Sequence, residues 1–129
     1  MIFAGNRPNN LGVREGKLAL CPPSPNCVSS QSTDSLHHIA PLSFTSSPEQ
    51  ALTNLKNLIL SLPRTKIITE TEDYLYAEFK SAWMGFVDDV EFYLDHKSNI
   101  IHVRSASRLG YGDLGVNRQR IEQIRAKLN

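Results

Sequence analysis

Between Phe86 and Ser107 the chain alternates apolar and polar side chains on both sides of a polar break at His96 to Asn99. Alternation with period two marks strands that bury one face, so this stretch reads as a hairpin of strands 86–95 and 99–107. Setting Asp95 opposite Ile100 places Leu94 opposite Ile101 and Phe92 opposite Val103. A slip of one residue would pair apolar with polar throughout, which selects this register. It also sets Tyr93 opposite His102, Glu91 opposite Arg104 and Asp89 opposite Ala106. One face then carries Phe86, Asp88, Val90, Phe92 and Leu94 with Ile101, Val103, Ser105 and Ser107: a core face with one carboxylate in it. Buried alone, that carboxylate is costly, so Asp88 requires a partner from Ser105, Ser107, a backbone N–H or an arginine of the last helix. The other face carries Val87, Asp89, Glu91, Tyr93 and Asp95 with His102, Arg104 and Arg108.

The flanking sequence supplies the rest of an α+β domain. Lys66 to Thr71 and Tyr74 to Ser81 read as two more strands around a turn at Glu72-Asp73. Upstream, Ser47-Pro48-Glu49-Gln50 starts a helix with a capping residue, a proline at the first helical position and an S-x-x-Q box. Leu52, Leu55, Leu58 or Ile59, and Leu62 follow at helical spacing up to Pro63, predicting a helix over 48–61. His38 to Phe44 reads as a short strand, held to an edge by Pro41. After a Gly-bearing loop at 109–112, Asp113 caps a closing helix with Leu114, Ile121, Ile124 and Leu128 as its apolar positions. Trp83 and Met84 are expected to pack under a bend, with an exposed aromatic contact as the alternative. The order is strand, helix, four strands, helix: a single domain over 36–129, with an antiparallel sheet and both helices on one face. Residues 1–35, rich in Pro, Gly, Asn and Ser, are expected to be an extended arm rather than helix or sheet. Leu11, Val13, Leu18, Leu20 and Val28 give the arm apolar groups with which to pack down. The second sheet face is left to the arm, to a partner or to solvent.

Charge sets limits on partners. Fourteen Lys and Arg against thirteen Asp and Glu leave +1, so no global field draws the chain to nucleic acid or to an anionic membrane. Within that balance, residues 70–95 hold eight acids and one base, and residues 104–128 hold six bases and two acids. Acidic strands packed beside a basic end are the expectation; a basic patch for an outside anion is the alternative. No apolar run approaches the roughly 18 residues of a membrane helix, and the first twenty residues lack a signal-type apolar region, so the expected compartment is the cytoplasm.

The polar row on the hairpin is the candidate site. It is either a solvated face of cross-strand ion pairs or a place for chemistry. For an anionic small molecule or a protein partner, the candidate ligands are Asp89, Glu91, Arg104 and Arg108, joined by Asp113 and Arg118 near the 110–115 loop. The alternative is an enzyme using Asp89, Glu91 and His102 as acid/base or metal groups. A third is a structural subunit with the row as its interface. The loop Gly110-Tyr-Gly-Asp-Leu-Gly115 lacks both the P-loop and the dinucleotide pattern, and Asp113 there is better suited to capping than to holding phosphate. No cofactor is named by any spacing. Cys21 and Cys27, separated by five residues that include three prolines, are two thiols or one local disulfide, with a redox or metal-binding loop as the alternative.

Three stretches together resemble a known family: Cys21-Pro-Pro-Ser-Pro-Asn-Cys-Val-Ser-Ser30, Gly85-Phe-Val-Asp-Asp-Val-Glu-Phe92, and Arg104 to Arg120. They are similar to the domain-of-unknown-function family numbered 1499, found in bacteria, cyanobacteria and plastids, and the resemblance runs from about Lys17 to Leu128. The family has no settled activity, so the resemblance implies no reaction. It marks Cys21, Cys27, Asp88, Asp89, Glu91, Arg104, Arg108, Asp113, Asn117 and Arg118 among others. Relatives often carry a leading membrane or export segment, and in an exported relative the two cysteines would be a disulfide.

Overall fold

The computed structural model describes residues 4–128; Met1 to Phe3 of the arm and Asn129 lie outside the described residues. The elements are β1 (Cys27–Ser29), β2 (Leu42–Ser43), α1 (Pro48–Ser61), β3 (Thr65–Glu70), β4 (Tyr74–Lys80), β5 (Val87–Asp95), β6 (Ile100–Ser107) and α2 (Val116–Leu128). They build an antiparallel sheet in the order β1-β6-β5-β4-β3, with β2 also paired to β6. The β5–β6 register is the one that the apolar pairs select: Leu94 faces Ile101, Phe92 faces Val103 and Glu91 faces Arg104.

Both helices cover one face. Leu52, Leu55 and Ile59 of α1 and Ile121 and Ile124 of α2 pack with Leu75, Val90, Phe92, Leu94, Ile101 and Val103 in a single buried cluster. Ser47 caps α1 by accepting from the Gln50 N–H at 3.1 Å. Only half of the capping box forms, because the Gln50 amide turns along the helix to Asn54 instead. Leu62 closes the helix with its N–H on the Ile59 carbonyl, and Pro63 prevents continuation. Asp88, the carboxylate on the core face, meets Arg120 of α2 at 2.7 Å.

Three expectations are corrected. The arm contributes sheet after all: Cys27–Ser29 pairs with Arg104 to Ala106, because the exposed edge of β6 has N–H and C=O groups to satisfy. Leu114 is not an apolar position of α2. The helix begins only at Val116, after left-handed residues at Leu114 and Gly115, so the Leu114 side chain never joins the buried helical face. Trp83 and Met84 do not pack under a bend but stand exposed on the β4–β5 connection.

Cys21 and Cys27 are joined in a disulfide, which ties the end of the arm to β1. The closed loop is short, with a sequence separation of 6. Chain-entropy reasoning assigns such a loop about 2 kcal/mol, an upper figure here because Pro22, Pro23 and Pro25 already stiffen the unfolded loop. Urea unfolding with and without dithiothreitol is expected to show a loss of up to about that size. An unchanged midpoint would contradict it.

Candidate functional site

The arm, rather than solvent, covers the second face of the sheet. Leu11, Val13 and Leu18 pack on Tyr74, Tyr76 and Tyr93, and Leu18 is held by its N–H donating to Gln31 Oε1 at 2.8 Å. The Gly12 N–H donates to Glu91 Oε2 at 2.7 Å. Arg7 reaches Glu78 at 2.8 Å. Of the arm's apolar candidates, Leu20 alone stays exposed, at 82%. Beneath this cover the polar row is buried: Asp89 is 1% exposed, Glu91 0% and Arg104 4%.

The row divides into two units. In the first, Asp89 Oδ1 accepts from Arg108 Nη2 at 2.6 Å and from the Tyr76 hydroxyl at 2.5 Å, while Oδ2 accepts from Arg108 Nε at 3.1 Å. Arg108 Nη2 also meets Glu78 at 2.8 Å. The bond to Asp89 is the main reason the Arg108 pKa is raised. Burial pushes the Tyr76 hydroxyl up, and its bond to Asp89 adds to that. Burial would raise the Glu78 carboxyl too, but bonds from Arg108 and Arg7 outweigh it and hold it below its ordinary value.

The second unit is less complete. Glu91 Oε2 accepts from Gly12 and from the Tyr74 hydroxyl, the latter at 2.6 Å. Glu91 Oε1 lies 3.8 Å from Arg104 Nη1, an ion pair beyond hydrogen-bond range. Arg104 Nη2 donates to the Leu20 carbonyl at 3.2 Å. Among the described residues, Glu91 Oε1 and Arg104 Nε are the two buried side-chain atoms with no hydrogen-bond partner. Burial lowers the Arg104 pKa against the pull of Glu91 and Asp89. Arg104, Arg108 and Asp89 line a cleft of about 360 Å³ whose far wall is the arm, at Pro8, Asn10 and Leu20 to Pro22.

The remaining candidates stand elsewhere. His102 Nδ1 is 3.0 Å from Ser30 Oγ, and burial lowers the pKa of its ring. It does not join Asp89 and Glu91, and no group of three His, Cys, Asp or Glu residues among the described residues is arranged to hold a metal. Asp113 caps α2 by accepting from the Gly115 and Asn117 N–H groups. Burial would raise its carboxyl; the bonds from Asn117 and Gly115 outweigh that and hold it low. Arg118 donates to the His38 and Leu36 carbonyls, at 2.8 and 3.2 Å, and so fastens α2 to the segment before β2. Asp113 and Arg118 border a separate hollow with Pro25 and Leu36.

The charge asymmetry resolves inside the chain, as Arg104–Glu91, Arg108–Asp89 and Arg120–Asp88 pairs. Tyr74, Tyr76 and Glu78 belong to the site and escape the sequence reading of the hairpin. Their signal was the same alternation continued across β4, which sets Tyr76 opposite Glu91 and Glu78 opposite Asp89. The arm's contacts through Gly12 and Leu20 are made by the backbone, which no residue pattern announces.

No helix among the described residues is long and apolar enough to cross a membrane. Neither a curated protein nor a solved structure matches the chain. The model of one family matches residues 17–128, a span that holds the disulfide, the polar row and α2, and the chain therefore belongs to the family described as "Protein of unknown function (DUF1499)".

Proposed function

We propose that this chain is a small binding domain that holds an anionic small molecule in the cleft between the arm and the polar sheet face. The observation that carries this reading is Arg104: a guanidinium 4% exposed, its Nε without a partner, on the wall of a cleft of about 360 Å³. A buried donor left unmade is costly, and a carboxylate or phosphate oxygen is the acceptor that a guanidinium fork matches best. Asp89 and Arg108 satisfy one another and shape the wall beside it. The Cys21–Cys27 disulfide, at the rim of the cleft, supports an oxidising compartment over the cytoplasm.

Native mass spectrometry on protein purified from its own host without reductant tests this. The expected result is an added mass of a small acid, with affinity weakened about 10–100-fold in Arg104→Lys, since a charge-assisted hydrogen bond contributes about 1.5–3 kcal/mol and an ammonium does not reproduce the fork. Circular dichroism establishes that the variant is folded. A bare chain, or equal retention by folded Arg104→Lys, would overturn the reading.

A further inference from the structure

We propose that the end of the molecule opposite the β3–β4 and β5–β6 turns docks on the surface of an anionic lipid bilayer. Two loops meet at that end: the β4–β5 connection and the β6–α2 connection. With the first residue of α2 they present Trp83, Met84, Leu109, Tyr111, Leu114 and Val116, six of the nine exposed large hydrophobic residues among those described. Trp83 is 72% exposed, Tyr111 73% and Leu114 99%. Trp83, Leu109, Leu114 and Val116 border one open, apolar cleft of about 400 Å³. Scattered exposed hydrophobics are ordinary, but a contiguous patch of this kind marks a contact surface.

The backbone holds these groups outward. Met84 has φ of 66° and Leu114 of 55°, in the left-handed region that L side chains disfavour. Leu114 is fixed there by the Asp113 carboxylate, which binds the N–H groups of Gly115 and Asn117 on the far side of it. A leucine presented in this way touches almost nothing of its own chain.

Charge selects the partner. An adjoining cleft is lined by Arg64, Lys80 and Lys127. The two carboxylates nearest the apolar patch are both occupied, Asp88 by Arg120 and Asp113 by the start of α2. The exposed acids Glu70 and Glu72, with the half-buried Asp73, sit at the other end of the sheet, around the β3–β4 turn. An apolar tip with a Trp and a Tyr, flanked by Lys and Arg, has the composition of a membrane-interface anchor. Side chains projecting from two loop tips enter a bilayer interface without needing a surface of matching shape, and the basic flank is attracted to anionic headgroups. This is peripheral docking and is compatible with the lack of a spanning helix among the described residues.

Trp83 is the only tryptophan in the chain, so its fluorescence reports on this patch alone. Full-length protein is mixed with vesicles of phosphatidylcholine alone or with phosphatidylglycerol added, and then floated. The expected result is a blue shift of Trp83 and flotation with the anionic vesicles, weakened by added salt. Leu114→Ser should reduce the partition about tenfold or more, the loss that withdrawing one leucine side chain from an apolar medium implies. Lys80→Gln should weaken binding to anionic vesicles only. Both residues are exposed, so neither substitution tests folding. Absence of a shift, binding equal on neutral vesicles, or binding unaffected by Leu114→Ser would overturn the proposal. So would capture of a soluble acidic, apolar peptide by protein that ignores vesicles.

Discussion

Arg108→Met is expected to destabilise the fold by about 3–5 kcal/mol, the cost of breaking a buried ion pair by removing one partner. Arg108 supplies Nε and Nη2 to Asp89 and Nη2 to Glu78. Asp89, 1% exposed, would keep only the Tyr76 hydroxyl. Glu78 would keep Arg7 and the longer contact with Tyr76. The stranded charge on Asp89 dominates the loss, because Asp89 is buried on the sheet beneath the arm. One measurement separates this mechanism from simple loss of packing. The double variant Arg108→Met with Asp89→Leu should recover much of the stability, because replacing both ions by apolar groups removes the uncompensated charge. Urea unfolding of the parent and the two variants decides it. A single variant within about 1 kcal/mol of the parent would show that the pair is effectively solvated, as exposed pairs are.

Asn117→Ala should cost about 2–4 kcal/mol, from about 1–3 kcal/mol for each buried polar group left without a partner. Asn117 is fully buried at the start of α2. Its Oδ1 accepts from Ser105 Oγ at 2.6 Å and from Arg120 Nη1 at 2.9 Å. Its Nδ2 donates to the Asn26 carbonyl, Ser107 Oγ and the Asp113 carboxylate, at 3.2, 2.9 and 2.8 Å. One amide thus joins the residue before β1, two residues of β6 and the cap of its own helix. Ser105 would retain the Arg120 contact at 3.3 Å, which limits the cost. Hydrogen exchange offers a second readout: the Ser107 N–H, which donates to the Asn26 carbonyl, should lose protection before the β4–β5 ladder does. Uniform loss of protection across the sheet would indicate a global rather than a local effect.

Period-two alternation along 66–107 and 3.6-residue spacing along 48–61 were legible in the sequence because each is a local consequence of burying one face. They determined the hairpin register, the core side of β5 and β6, the first helix, and the need of Asp88 for a partner, which Arg120 meets. The same alternation brought Asp89, Glu91 and Arg104 onto one face, and so the floor of the candidate site was readable as well. The roof was not. Residues 7–22 carry no period, and they are held by the backbone N–H of Gly12, the carbonyl of Leu20 and a disulfide. Backbone groups are the same at every residue, so no pattern of side chains announces where they bind. Likewise, Leu114 reads as a helical core position by spacing alone; the left-handed turn that Asp113 closes before Val116 makes it the most exposed of the large hydrophobic residues described. The sequence by itself determined which residues face one another across the sheet, because pairing and periodicity are local. Tertiary structure alone decided that the polar row is buried rather than solvated, because that depended on where a segment without periodicity came to rest.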